Sequence, residues 1–345
     1  MSSALSSGQA EQASPTEYRS QRRWPVIGSA AGDADRLRAV DTTYLSVDDL
    51  SPKELGELLD LAADVKARPE AFAGRLAGRS IALIFEKPST RTRVSFEVGV
   101  SQLGAHAVVL SASDLQLGRG ETIEDTGRVL TRYVDAIVLR TFEQERLEVL
   151  AGASGVPVIN ALSDFEHPCQ ALADLFTLRE RFGALEGRTL TYLGDGNNVA
   201  HSLLLGGAKA GMQVRVATPA GFEPIPQIVQ RATEIATETG GGVEVTNDPA
   251  EASRGADVLY TDVWASMGQE TEAHERRLVF TSFQLSQSLV EAAAEDVVVL
   301  HCLPAHRGQE VAAEVLDGPR SAVWDQAENR LHTQKALLLR LLRAA

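Results

Sequence analysis

The sequence predicts an α/β protein of two domains, each a parallel β-sheet flanked by helices, with any ligand site expected in the cleft between them. Three observations predict it. Short apolar runs alternate with segments of helix length along most of the chain. Those runs are nearly continuous rather than alternating, as strands covered on both faces must be. And 345 residues are enough to bury two separate cores.

Residues 1–40 lack sustained apolar periodicity and are expected to form a flexible extension. Order begins near Tyr44, and Ser51-Pro52 marks a helix start with an apolar face at Leu55, Leu58, Leu59 and Ala62. Strands are expected at 80–85, 107–110, 136–139 and 156–159, then a helix at 168–182. The glycines Gly183 and Gly187 mark a domain boundary, giving domains over 41–183 and 184–329. In the second, strands are expected at 190–193, 214–217, 243–245, 258–260 and 297–300. Asn329 to Ala345 reads as a closing helix, apolar at Leu331, Leu338 and Leu342, whose residues 330–345 pack back on the first domain.

Composition removes several classes of function. A net charge of −14 argues against nonspecific binding to nucleic acid or anionic membrane. Two cysteines, Cys169 and Cys302, cannot build a disulfide framework. No apolar run is long enough to span a bilayer. The N-terminus is rich in Ser, Ala, Gln and Glu without an apolar signal region, so a cytoplasmic protein is expected.

Ligands of open α/β sheets bind beyond the carboxyl ends of the strands, and six such ends carry unusual polar residues. After Phe85 comes Glu86-Lys87-Pro88-Ser89-Thr90-Arg91-Thr92-Arg93, followed by a helical pattern. Unpaired N–H groups at a helix start favour an anion, and hydroxyls with a planar guanidinium suit phosphate. The helix dipole adds only about 0.3–1 kcal/mol, so side chains must supply most of the affinity. A helix cap beside surface arginines would explain one hydroxyl, not three. Arg140 ends the third strand and, alone, reads as a surface arginine. His167-Pro168-Cys169-Gln170 opens a helix, where a lone histidine is more often a cap than a catalyst; no further ligand cluster stands near His167 and Cys169, so no metal site is expected there. Gly194-Asp195-Gly196-Asn197-Asn198-Val199 resembles a dinucleotide loop, but Val199 holds the third glycine position and no acid ends the strand at Ala217. Asp262-Val263-Trp264-Ala265-Ser266-Met267-Gly268 places an acid at a strand end, suited to an ammonium group. In His301-Cys302-Leu303-Pro304, strand alternation sends the two reactive side chains to opposite faces, against a Cys–His nucleophile pair, and Cys302 alone could be a small buried hydrophobe.

Ser-Thr-Arg-Thr-Arg in this setting, with His-Pro-x-Gln, resembles the aspartate/ornithine carbamoyltransferase family. Ser-Met-Gly and His-Cys-Leu-Pro resemble its ornithine branch. The resemblance runs from about Tyr44 to the C-terminus, and it implies a role for each residue at the strand ends. By that resemblance, carbamoyl phosphate is gripped by Ser89, Thr90, Arg91, Thr92, Gln116, Arg140, His167, Gln170, Cys302, Leu303 and Arg330, with Arg93 structural. Arg140 and Arg330 face the carbamoyl oxygen, His167 polarises the carbonyl and Gln170 holds the carbamoyl nitrogen. Asn198, Asp262, Ser266 and Met267 hold ornithine, whose δ-amine lies beside Cys302. Catalysis falls to Arg91, Arg140, His167 and Cys302. The resemblance further implies citrulline as product, within arginine metabolism, made by a homotrimer with no metal and no organic cofactor; Gln116 reaches the donor, possibly from across a subunit boundary. Two rivals stand beside this reading: a carbamoyltransferase acting on putrescine or an acylated ornithine, and a nucleotide-binding or regulatory protein on the same fold.

Overall fold

The computed structural model describes residues 43–111, 120–265 and 273–345; the expected extension over 1–40 lies outside them. A one-turn 3-10 helix, Val47–Asp49, precedes α1 (Pro52–Ala67) and α2 (Pro69–Phe72). Then come β1 (Ser80–Phe85), α3 (Thr90–Gln102), β2 (His106–Ser111), α4 (Ile123–Leu130), β3 (Ala136–Arg140), α5 (Gln144–Ala153) and β4 (Val158–Leu162). After α6 (Pro168–Phe182) follow β5 (Thr189–Leu193), α7 (Asn198–Lys209), β6 (Gln213–Ala217), α8 (Pro226–Thr239), β7 (Gly242–Thr246), α9 (Pro249–Ser253) and β8 (Val258–Thr261). The chain ends with α10 (Ala273–Phe280), α11 (Gln287–Ala292), β9 (Val298–His301), α12 (Ala313–Leu316) and α13 (Val323–Leu341).

Both sheets are parallel throughout, in the orders β2-β1-β3-β4 and β7-β6-β5-β8-β9. In each, the strand order reverses once, between β1 and β3 and between β5 and β8. Connections leaving the two strands at such a point diverge, which opens a crevice at their carboxyl ends. The unusual polar motifs of the sequence lie after β1, β3, β4, β5, β8 and β9.

Local chemistry explains the flanking helices. Ser51 caps α1, its hydroxyl accepting from Glu54 N while the Glu54 carboxylate accepts from Ser51 N, and Pro52 fills the first helical position. Gly183, at φ 78°, ends α6. Every residue of α6 from Pro168 to Leu178 is buried, because the helix lies between the two halves. Leu172, Leu175 and Phe176 share one apolar cluster with Leu203, Leu204 and Leu205 of α7 and with Leu337, Leu338 and Leu339 of α13. Each such side chain contributes about 1.5–3 kcal/mol on burial.

Two elements differ from the sequence pattern by more than one residue. The fourth strand starts at Val158, not Val156, since Pro157 has no N–H to give a ladder, and it runs on to Leu162. The last helix starts at Val323, six residues before its expected start at Asn329, and ends at Leu341. Its first turns carry buried polar residues, Gln326, Asn329 and Arg330, which mask an apolar period. Polar bonds fasten it to the first half: Lys66 Nζ to Asn329 Oδ1 at 2.9 Å, Lys335 Nζ to Gln102 Oε1 at 2.8 Å and Arg340 Nη2 to Glu54 Oε1 at 2.5 Å.

Candidate active site

The turn after β1 is braced from below. Glu86 N donates to Arg140 O at 2.9 Å, and the Glu86 carboxylate accepts from Arg146 Nε at 3.2 Å and from the Thr141 hydroxyl. Lys87 pairs with Asp164 at 2.5 Å and stands 4.1 Å from the centre of the Phe142 ring. Ser89 is the N-cap residue of α3, yet its hydroxyl makes no capping bond, so capping does not account for it. Thr90 is exposed and Arg91 half-buried in the same first turn. Buried Thr92 accepts from Arg330 Nη2 at 2.9 Å, and Gln170 Oε1 accepts from Arg330 Nη1 at 2.6 Å. Arg93 points out to solvent beside Glu97.

Arg140, His167, Arg330 and Arg91 form one electrostatic cluster. Burial, then the charges of Arg330 and Arg91, bring Arg140 down to about 10, still protonated at neutral pH. Burial likewise lowers Arg330. Burial, then Arg330, Arg140 and Arg91, hold His167 well below the usual imidazole value, so it is neutral. His167 caps the start of α6 without a side-chain bond of its own, and its backbone N–H donates to Ser202 Oγ at 2.9 Å. Among the described residues, Arg140 Nε, His167 Nδ1 and Arg330 Nε are buried with no protein partner. Buried polar atoms are seldom left so; a crevice that binds a polar ligand is one place where they are.

The facing wall is of opposite character. Gly196 packs so close to the chain at 222–224 that a Cβ would fall 2.3 Å from Pro224 N. The chain's own backbone, not a ligand phosphate, therefore demands this glycine. Asn197 caps α7, accepting from Val199 N at 2.9 Å and Ala200 N at 3.2 Å, and donates from Nδ2 to Asp262 Oδ2 at 3.1 Å. Asn198 crosses the cleft, donating from Nδ2 to Ser163 O at 2.6 Å. Asp262 Oδ1 accepts from Cys302 Sγ at 2.9 Å. Burial and Asp262 push the Cys302 thiol well above its ordinary value, which keeps it protonated.

Strand alternation does not separate His301 from Cys302 as expected. Cys302 lies just past the end of β9, and ligand atoms of Asp262, His301 and Cys302 all fall within 4.8 Å of one another. Even so, they do not form a thiolate–imidazolium pair. His301 Nδ1 accepts from Leu303 N at 2.9 Å, which makes Nε2 the protonated nitrogen, and Nε2 meets Glu310 Oε1 at 3.2 Å. That bond from Leu303 holds the residue at φ 57°, a conformation rarely adopted by a branched side chain.

The structure thus gathers Ser89, Thr90, Arg91, Thr92, Arg140, His167, Gln170 and Arg330 on one wall, and Asn198, Asp262, Cys302 and Leu303 on the other. Arg91 reaches electrostatically to Cys302. Gln116, Ser266 and Met267 lie outside the described residues. Sequence reasoning missed Asn197, for which the adjacent Asn197-Asn198 pair at a helix start was a usable signal.

Comparison with known proteins agrees with this geometry. Residues 43–180 match the model of the aspartate/ornithine carbamoyltransferase carbamoyl-P binding domain, and residues 186–341 that of the Asp/Orn binding domain. An ornithine carbamoyltransferase of Parafrankia sp. (strain EAN1pec) is 63% identical over 302 residues, covering 87% of this chain and 95% of the relative. One from Acidothermus cellulolyticus is 60% identical, covering 88% and 97%. The solved ornithine carbamoyltransferase of Pyrococcus furiosus superposes with a TM-score of 0.84 at 53% identity, covering 87% and 96%. The chain belongs to the aspartate/ornithine carbamoyltransferase family, among its ornithine carbamoyltransferases.

Proposed function

We propose that the chain transfers the carbamoyl group of carbamoyl phosphate to the δ-amine of L-ornithine, giving L-citrulline and phosphate. One observation carries the reading: Arg91, Arg140 and Arg330 converge on a neutral His167 beside Gln170 at the strand ends of an acidic protein. Carbamoyl phosphate sits on the α3 N-terminus, its phosphate taken by Ser89, Thr90, Arg91 and Thr92. Its carbonyl oxygen faces Arg140, Arg330 and His167, where negative charge grows as the tetrahedral intermediate forms. Being neutral, His167 polarises the carbonyl by hydrogen bonding rather than by charge. Gln170 takes the carbamoyl nitrogen, and Gln116 and Leu303 complete the donor site.

Ornithine is held by Asn198, Asp262, Ser266 and Met267, with its δ-amine beside Cys302. An alkylamine titrates at about 10.4, so it must lose a proton before or during attack. Nitrogen attacks the carbonyl carbon, the carbon–oxygen bond to phosphate breaks, and the departing phosphate accepts the proton. No covalent enzyme intermediate is required, and the protonated Cys302 thiol fits that role. Holding the two reactants in line contributes about 7–11 kcal/mol. The resemblance further supports a cytoplasmic homotrimer working in arginine biosynthesis; equilibrium sedimentation of a monomer would contradict the trimer.

The test is citrulline formation by the wild type and by Arg91→Ala. The variant should lose roughly 10²–10³-fold in kcat, the usual cost of one donor aimed at developing charge. Equal activity removes the phosphate assignment. Turnover of putrescine without turnover of ornithine replaces the acceptor.

A further inference from the structure

We infer that Asp174 and Gln326 are positioning residues that lock the donor wall and the acceptor wall of this site into one hydrogen-bonded unit. The inference rests on the assignment of the two walls to carbamoyl phosphate and ornithine. Neither residue reaches the cleft. Asp174 lies one turn beyond Gln170 on α6 and is fully buried; Gln326 lies one turn before Arg330 on α13 and is 1% exposed.

The bonds run without a break from wall to wall. Asp174 Oδ1 accepts from Gln170 Nε2 at 2.7 Å and from Gln326 Nε2 at 2.7 Å. Two carboxamides thereby lose their freedom to flip. Gln170 must turn its oxygen away from Asp174, where it accepts from Arg330 Nη1. Gln326 must turn its oxygen the other way, where it accepts from His301 N at 3.0 Å. His301 leads directly to Cys302, and its ring takes the Leu303 N–H. Tyr260, on β8 two residues before Asp262, adds its hydroxyl 3.1 Å from Gln326 Nε2. One carboxylate oxygen therefore sets the orientation of a donor-wall amide and, through Gln326, the backbone that carries the acceptor-wall thiol.

Burying a carboxylate at this depth is costly, and the hydrogen bonds from Gln170 and Gln326 only partly offset it: burial still brings Asp174 up to about 7. An apolar side chain would fill the same seam between α6 and α13 without that cost. What an apolar side chain cannot do is choose between the two flips of an amide. The order of contacts also predicts an asymmetry. Gln326 touches only the acceptor branch beyond Asp174, whereas Asp174 commands both branches.

The experiment compares wild type, Asp174→Leu, Asp174→Asn and Gln326→Leu. It measures citrulline turnover, ornithine KM, carbamoyl phosphate Kd by calorimetry, and thermal unfolding to fix the folded fraction. Gln326→Leu should raise ornithine KM and lower kcat per folded enzyme by roughly tenfold or more, while carbamoyl phosphate Kd moves less than about threefold. Asp174→Leu should weaken carbamoyl phosphate binding as well and lower kcat by roughly a hundredfold, the scale of a small misplacement at the reacting centre. Asp174→Asn keeps an oxygen acceptor and should recover most of that loss. Constants per folded enzyme equal to the wild type in both leucine variants, or a uniform loss in every constant that follows only the folded fraction, would overturn the inference and leave the functional reading standing. A wild type that forms no citrulline overturns the functional reading, and this inference with it.

Discussion

The two walls of the cleft solve opposite electrostatic problems. The donor wall concentrates Arg91, Arg140 and Arg330 in a protein of net charge −14, and among the described residues Arg330 bonds to the neutral acceptors Gln170 and Thr92. The acceptor wall offers a carboxylate, Asp262, held by an amide and a thiol. On the proposed reading, local arrangement and not bulk composition decides what each wall attracts: a phosphorylated anion on one side, an ammonium group on the other. On the donor wall the charges of Arg330 and Arg91 lower Arg140, which a bound dianion would relieve.

The sharpest way to break this comparison is to remove one charge from each wall. Arg140→Ala should cost roughly 10²–10³-fold in kcat and weaken carbamoyl phosphate. Asp262→Asn removes a charged partner worth about 1.5–3 kcal/mol, and the loss should fall on ornithine KM with carbamoyl phosphate Kd nearly unchanged. Steady-state kinetics with a separate binding titration distinguish the two patterns. If both variants shift both ligands equally, the walls do not divide the substrates between them.

A smaller effect should appear in stability against pH, at the joint between the walls. Glu166 is fully buried beside His167, and its carboxylate accepts from Ser46 Oγ, Val47 N and Ser202 Oγ. Burial outweighs these bonds and raises it from 4.5 to about 7. The folded chain therefore holds this proton more tightly than the unfolded chain does. The resulting stability is complete below the unfolded value and is lost as pH climbs through about 7. Across that window it amounts to about 3 kcal/mol. Glu166→Gln cannot titrate, so the stability of the wild type relative to this variant should fall between pH 5 and pH 8 in denaturant unfolding. A difference constant across that range would show that Glu166 titrates normally.

The same contrast explains how much could be read in the sequence. The parallel strands announced themselves because a strand buried on both faces must be apolar along its length, as Ile81 to Phe85 is. The donor residues were legible because anion chemistry at a helix start draws on few residue types, and three of them cluster within Ser89–Thr92. Asp174 and Gln326 were not legible, and Asn197 was signalled only by the asparagine pair at its helix start. Their function depends on which buried neighbour lies opposite, and that is settled by how α6 meets α13 and how β5 meets β8, not by local spacing. For Cys302 the period-two rule failed because the residue falls just beyond the strand, where alternation no longer applies.

Cys302 gives the smallest expected effect and the finest distinction. Its thiol donates to Asp262 and is held protonated, so on the proposed reading it shapes the acceptor wall rather than attacking the donor. Serine keeps an O–H donor at the same place, and Cys302→Ser should stay within about tenfold of wild type, the scale of one altered hydrogen bond. Alanine removes that donor and leaves Asp262 with Asn197 as its partner among the described residues, which should raise ornithine KM more than it lowers kcat. Removal of a covalent nucleophile, by contrast, costs on the order of 10⁶ in kcat. Rapid-quench measurement of citrulline on the first turnover adds a second reading: direct transfer gives no carbamoylated protein, whereas a carbamoyl group retained on Cys302 in the absence of ornithine would replace direct attack with a two-step route.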